Sequence, residues 1–193
     1  MSKTQRPSSA RKRILETAEK LFYAEGIRAV GIDRVISEAG VAKMTLYNHF
    51  PSKDDLILEV LKFREEQFDL FFNKRMDLHL SQGMSPLKAF FAGLRDWFKS
   101  PGYRGCTFIN TTVELADSDH AASRFCSEHK RRFREMLTNI IIETAGPKAA
   151  AVAPAISVLV EGAIVTSVSE GTAEAADIAE EAASILIAKA KRK

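Results

Sequence analysis

The chain has 193 residues, of which 46% are hydrophobic and 27% charged, and its formal net charge is +3. This length can bury one good core but not two large ones, which excludes a large multidomain enzyme. The first ten residues have no apolar core of the kind that a signal peptide needs. The most apolar stretch, 149–168, is interrupted by Pro154 and Glu161. We therefore expect a cytoplasmic protein that neither spans nor binds a membrane.

The charges are distributed unevenly along the chain. Residues 1–53 hold ten Lys or Arg against five Asp or Glu, whereas residues 54–193 hold eighteen against twenty. A basic N-terminal quarter suggests that any surface for a polyanion lies there. A solvated basic end is the alternative, and charge alone does not separate the two.

Helical periodicity runs through almost the whole chain, and no segment shows the sustained alternation of a strand. A first helix ends at Gly26, and Ser52 with Asp55 three residues later forms the capping-box pattern that opens a long fourth helix. The spacing of apolar residues and breakers predicts an all-α fold of about nine helices. Those after the first are expected over 32–39, 44–50, from 52 to about 80, 86–98, 106–116, from about 120 to 145, 148–169 and 173–190.

The second and third helices have the spacing of a helix-turn-helix, in which the first helix braces the second in the major groove of DNA. Ala39, Gly40 and Val41 suit the turn, since it needs a small residue, a residue tolerant of positive φ and an apolar plug. With Leu46 and Phe50 turned to the core, the third helix presents an outer face without a carboxylate. That face is formed by Lys43, Thr45, Tyr47, Asn48 and His49. Such a face favours DNA over solvent, because an ordinary solvated helix mixes charges of both signs.

Helix 1 carries a second indication of an anionic partner. Arg11, Lys12 and Arg13 lie in its first turn, where the helix dipole disfavours cations. An external anion such as a phosphate backbone would explain their position.

The segment from Gly26 to Leu56, and above all the run Leu46-Tyr47-Asn48-His49-Phe50-Pro51-Ser52-Lys53, resembles the DNA-binding domain of the TetR family of bacterial repressors. The resemblance covers about residues 9–60. It implies an all-helical homodimer, a head at 1–52 that binds double-stranded operator DNA, and a domain at 53–193 for ligand binding and dimerisation. Gly31 departs from the family pattern, which usually has Ser or Thr near the start of helix 2, so the hydroxyl contact to phosphate is missing there.

The resemblance also assigns roles to single residues. Lys43, Met44 and Thr45 open the recognition helix and are expected to reach base edges. Tyr47, Asn48 and His49 are expected to contact phosphates or flanking bases, although His49 and Met44 could instead pack inside the head. Lys53 is expected to hold backbone phosphate, and Arg11 and Arg34 are further expected DNA-binding residues.

The second half of the chain is rich in aromatic residues, with ten of the twelve phenylalanines between Phe63 and Phe133. Core packing explains most of them, but apolar pockets between helices are also common ligand sites. We expect a small apolar or aromatic inducer, with helix 4 transmitting its binding to the head. The expected ligand-binding residues are Phe63, Phe68, Phe71, Phe91, Trp97, Cys106, Asn110 and Phe125.

The two cysteines, Cys106 and Cys126, have no partner histidines at metal-ligand spacing, so a disulfide scaffold, a metal site or another cofactor is not expected. Cys106 follows Gly105 at a predicted helix start, which permits a thiol sensor of oxidants or electrophiles, or else a buried structural cysteine. An enzyme using Cys106 with His120 or His129 is a further alternative. We do not expect an enzyme, because no nucleophile triad, phosphate loop or HExxH pattern is present.

The last two helices contain many small residues among their apolar positions, among them Ile178 and Ala182. Small residues allow helices to cross closely, so two such helices and their symmetry mates could form a four-helix dimer interface. Internal core is the alternative, and the family resemblance favours the interface.

Overall fold

The computed structural model describes residues 9–192, and within that range the chain is helical without any strand. Nine α-helices are present among these described residues, so the predicted all-α fold is confirmed. The expectation of no signal peptide rests largely on residues that lie outside this range. The helices are α1 Ser9–Glu25, α2 Ile32–Ala39, α3 Lys43–His49, α4 Lys53–Ser81, α5 Pro86–Phe98, α6 Thr107–Leu115, α7 Ala121–Ala145, α8 Ala153–Ser169 and α9 Ala175–Lys191, with a 3₁₀ turn at Pro147–Val152 before α8.

Backbone contacts divide the chain into two compact units. The first, called unit 1 below, runs to Gln67 and also includes Thr107–Glu128, which is α6 with the first part of α7. The second, unit 2, is Phe68–Cys106 with His129–Lys193. The functional division at 52/53 inferred from the sequence stays a prediction.

Unit 1 is organised around the inner faces of its first four helices. Ile14 and Ala18 of α1, Val35 of α2 and Leu46 of α3 are fully buried, as is Leu56 of α4. The long helix α4 begins as the sequence predicts, because the Asp55 amide donates to Ser52 Oγ (3.1 Å) and the Ser52 hydroxyl donates to the Asp55 carboxylate (2.6 Å). The buried residues of α1 to α4 form one apolar core, against which the motif helices α2 and α3 pack.

Unit 2 contains the most apolar segment of the described chain, Pro147–Ser169. By length and composition alone this segment could cross a membrane. Within unit 2, α8 packs along α9 and buries Ile156, Val160 and Ile164, while Val158 and Val165 of the same helix are exposed. Its single acidic residue, Glu161, accepts hydrogen bonds from Lys130 Nζ at 2.8 and 2.9 Å.

Candidate DNA-binding interface

The turn between α2 and α3 has the geometry that the motif requires. Gly40 adopts the left-handed conformation (φ 61°, ψ 46°), which a glycine adopts without steric cost. Its amide donates to the Ser37 carbonyl (3.2 Å), and the amide of Val41 donates to the Ile36 carbonyl (3.3 Å). These are the two bonds of a Schellman ending, which closes α2 and redirects the chain into α3.

Helix α3 presents two distinct faces. Leu46 and the following Phe50 are buried, as the sequence predicts. On the other side Lys43, Met44, Tyr47 and Asn48 are exposed, while Thr45 and His49 are half-buried. Met44 is 72% exposed, so it does not fill the core. The geometry thus leaves the first turn of α3 accessible to a large partner.

Two of the cations expected to contact DNA, Arg11 and Lys53, have partners within the head. Arg11 donates to the Glu59 carboxylate (2.6 Å), and its guanidinium lies 5.2 Å from the Phe50 ring centroid. Lys53 Nζ donates to the Ile27 carbonyl (2.7 Å). An ammonium has three donors, so this bond is compatible with the predicted phosphate contact.

Two other expected contacts form ion pairs with neighbouring acids. Arg34 donates hydrogen bonds to Glu25 (2.8 Å) and Glu38 (2.9 Å). Both bonds raise the pKa of the Arg34 guanidinium, and the bond to Glu25 has the larger effect. Lys43 Nζ lies 3.3 Å from Asp33 Oδ1, with both side chains exposed. Exposed pairs of this kind contribute little to stability, so a phosphate could replace either acid at small cost. Both contacts with DNA stay predictions.

A corner formed by the end of α6 and the start of α7 belongs to the same unit as the head. Glu114 Oε1 accepts the backbone N–H of Arg28, and Arg28 Nη2 donates to the Leu115 carbonyl (2.8 Å). No local sequence pattern predicts this connection, because the partners are 86 and 87 positions apart.

His120 completes this corner, which we call the α6–α7 corner (Glu114, Leu115 and His120). Its Nδ1 accepts the Ala122 amide (3.1 Å) at the start of α7, and its Nε2 lies 3.4 Å from Asp54 Oδ1. The ring therefore ties the start of α7 to the first turn of α4. His120, which was a candidate partner of Cys106 in an enzyme, thus has contacts within unit 1 to Ala122 and Asp54.

In unit 2, three of the expected ligand-binding residues belong to one aromatic cluster. Phe68 meets Trp97 edge to face (centroids 4.9 Å apart), and Phe91 meets Phe90 in the same way (5.3 Å). Phe68 is half-buried, whereas Phe90 and Phe91 are fully buried. The aromatic cluster comprises Phe68, Phe72, Phe90, Phe91, Trp97, Phe98, Tyr103, His129 and Phe133.

The other expected ligand-binding residues lie elsewhere. Phe71 is half-buried beneath the Arg75 guanidinium, 5.4 Å from the ring centroid. Phe125 faces Phe108 within unit 1 (centroids 6.4 Å apart). The half-buried Phe63 and the exposed Asn110 also belong to unit 1, and Cys106, 5% exposed, belongs to unit 2. Their role as ligand contacts stays a prediction. Among residues 9–192, no group of three or more His, Cys, Asp or Glu side chains is arranged to hold a metal ion.

Comparison with known proteins agrees with this architecture. The family described as bacterial regulatory proteins, tetR family, matches residues 14–60, and the C-terminal domain of LmrA/YxaF-like transcriptional regulators matches residues 84–182. The crystal structure of a TetR-family transcriptional regulator from Streptomyces coelicolor superposes with a TM-score of 0.82 at 30% identity. That match covers 94% of this chain and 96% of the other.

Curated relatives match over a shorter stretch of the chain. The uncharacterised HTH-type regulator YxaF of Bacillus subtilis is 32% identical over 69 residues, which cover 35% of this chain and 36% of the relative. An HTH-type regulator of Staphylococcus aureus strain USA300 is 39% identical over 61 residues, covering 32% and 31%. The match spans about a third of the length of these relatives. With both domain families matched in order and the solved structure similar over nearly its full length, the chain belongs to the TetR family and is a DNA-binding transcriptional regulator.

Proposed function

We propose that the protein is a repressor that binds a palindromic operator as a homodimer and releases it when a small apolar or aromatic ligand binds. The single observation that carries the DNA-binding part is the carboxylate-free outer face of α3, which is exposed at Lys43, Met44, Tyr47 and Asn48. As a DNA-binding bacterial regulator it would act in the cytoplasm.

Operator binding is tested with variants at two kinds of contact. Thr45→Ala should change the preference among operator variants by roughly 1–3 kcal/mol, because a base contact discriminates between sequences. Lys53→Ala should weaken all sequences alike and lower the salt slope by roughly one unit, because a phosphate contact releases counterions. If Thr45→Ala weakened operator and random DNA equally, Thr45 would be a backbone contact.

The homodimer is supported by apolar residues that the single chain leaves in solvent. Val158 of α8 is 72% exposed and Ile178 of α9 is 67% exposed, and each is followed seven residues later by a further exposed apolar side chain, Val165 and Ile185. Residues seven apart lie on one face of a helix, so each helix carries an apolar stripe. A second copy of the chain would cover both stripes in an isologous interface.

This interface has a matched test in the chain itself. Ile178→Asp should yield monomers with unchanged helical content and lower operator affinity. Leu70→Asp introduces the same charge at a position of α4 that is equally exposed, 67%, and should leave the dimer intact. Analytical ultracentrifugation distinguishes them, and an intact dimer for Ile178→Asp would contradict the proposal.

The ligand part rests on the aromatic cluster and on the continuity of α4. One helix, Lys53–Ser81, carries both Lys53 at its start and Phe68 in the aromatic cluster. Displacement of its aromatic part would therefore reorient the head. Release by ligand requires different affinities in the two states, and the ligand must then weaken DNA binding by the same factor as DNA weakens ligand binding.

The chain provides its own reporter for this step, since Trp97 is its single tryptophan and belongs to the aromatic cluster. Naphthalene derivatives added to the protein should change the tryptophan fluorescence and release the operator over the same concentration range. Phe68→Ala should shift both titrations together. Operator release without any change in fluorescence would place the ligand away from Trp97.

The thiol-sensor alternative has one observation in its favour, the position of Cys106 directly before the first residue of α6. Its burial acts against it, because a buried thiol is shielded from an electrophile. Cys106→Ser should leave release by reversible aromatic compounds intact and abolish any release by electrophiles. If an electrophile released the Cys106→Ser protein from the operator as readily as it releases the wild type, Cys106 would not be the sensor.

A further inference from the structure

Met44 combines high exposure with an apolar side chain on the face that is otherwise polar. It is the second residue of α3 and is 72% exposed. Single exposed apolar residues are common on protein surfaces and need no explanation by themselves. Here the residue lies one turn from Tyr47 and Asn48, on the same exposed face of the helix. A partner that covers this face would bury Met44 together with those hydrogen-bonding groups.

The major groove of DNA offers one apolar group among its hydrogen-bonding edges, the C5-methyl group of thymine. Lysine, asparagine and tyrosine side chains can each pair with a base edge or a phosphate, but a thioether cannot donate a hydrogen bond and accepts one only weakly. Methionine is also unbranched and polarizable, so it adapts its shape to a small apolar contact. Among the groups on the base edges, the methyl group is therefore the best match to the chemistry of Met44.

We propose that Met44 contacts the C5-methyl group of one thymine in each operator half-site and selects thymine at that position. This inference rests on the proposed operator binding and adds to it the identity of one base and the atom that is recognised. Burial of one methyl group corresponds to roughly a fourfold change in affinity per half-site. Two half-sites would give roughly a fifteenfold change.

The test starts with selection of an operator from a random duplex library by the full-length protein. Each thymine of the selected half-site is then replaced by deoxyuridine, symmetrically in both halves, which removes the methyl group and keeps every hydrogen-bonding atom. We expect one position at which deoxyuridine weakens wild-type binding by roughly fifteenfold. At that position Met44→Ala should bind thymine and deoxyuridine equally, and Met44→Leu should keep the preference.

Asn48→Ala is the matched control, because it removes an exposed side chain one turn away on the same helix. It should weaken operator binding and still discriminate thymine from deoxyuridine. Met44 is exposed, so its variants should keep the circular dichroism of the wild type.

Four results would overturn the inference. Wild-type binding that is insensitive to deoxyuridine at every position, or a selected half-site without thymine, would show that no methyl group is read. A deoxyuridine penalty that survives in Met44→Ala would assign the methyl contact to another residue. If selection enriched no sequence at all, the proposed operator binding would fail first, and this inference would fail with it.

Discussion

Replacing Gly26 by alanine tests how the α6–α7 corner is attached to the head. Gly26 has φ +95°, and a Cβ atom built on it would lie 2.8 Å from Glu114 Oε1. That carboxylate is the acceptor for the backbone N–H of Arg28. An alanine here is therefore both strained in its backbone and in collision with a side chain that holds the corner.

The expected cost has two parts. A positive φ costs an L residue roughly 1–2 kcal/mol. Displacing the carboxylate loses a hydrogen bond to a charged group, worth about 1.5 kcal/mol at the low end that suits an exposed site. Gly26→Ala should thus destabilise the protein by roughly 2–4 kcal/mol. Gly40→Ala separates the parts, because Gly40 also has positive φ (+61°) but nothing within 4 Å of an added Cβ. It should cost only about 1–2 kcal/mol.

The assay is urea unfolding followed by circular dichroism at one fixed protein concentration, with Glu114→Ala as a second background. Removing the Glu114 side chain removes the collision, so Gly26→Ala should cost less there, about as much as Gly40→Ala. The coupling between the two substitutions should be roughly 1–2 kcal/mol, within the range for residues in contact. An equal cost of Gly26→Ala in both backgrounds would refute the contact on which this reasoning depends.

Three further predictions concern stability and assembly. The hydrogen bond from Lys62, and to a smaller extent that from Arg11, lowers the pKa of Glu59. The ionised Glu59 therefore stabilises the fold fully above the ordinary glutamate pKa of about 4.3, and this stabilisation is lost as the pH falls through the lowered pKa. Glu59→Gln should therefore flatten the dependence of the unfolding free energy on pH between about 5 and 3, and parallel curves would contradict this. Gly162→Ala adds a methyl group where nothing lies within 4 Å in the single chain, on the face of α8 that we assign to the dimer. We expect weaker dimerisation by sedimentation, whereas an unchanged dimer with a gain of about 0.5–1 kcal/mol would place the residue outside the interface. Gly31 is the N-cap of α2, has an extended backbone and has open space around it. Gly31→Ser should stabilise the head by a few tenths of a kcal/mol and tighten binding to all DNA sequences alike. A loss of DNA affinity in filter binding would argue against a phosphate contact at this site.

The candidate site was only partly predictable from the sequence. The positions of Leu46 and Phe50 inside and of Lys43 and Asn48 outside follow from helical periodicity alone, and the structure agrees with them. The sequence left two possibilities for Met44, packing or exposure. Only the observed 72% exposure decides between them, because burial depends on which other helices cover a residue.

The sequence by itself determined the number and order of the helices and several of their ends, but not the start of α8, which was expected at 148 and lies at Ala153 after a 3₁₀ turn at Pro147–Val152. The hydrogen bonds of the Ser52 cap and of the turn at Gly40 join residues three to five positions apart, so a local sequence pattern predicts them. The grouping of α6 with the head, and the partners chosen by Lys53 and Glu114, were decided only by the tertiary structure. A carboxylate pairs with whichever donor the packing of the chain brings within about 3 Å, and that choice joins residues far apart in sequence, for which no local pattern exists.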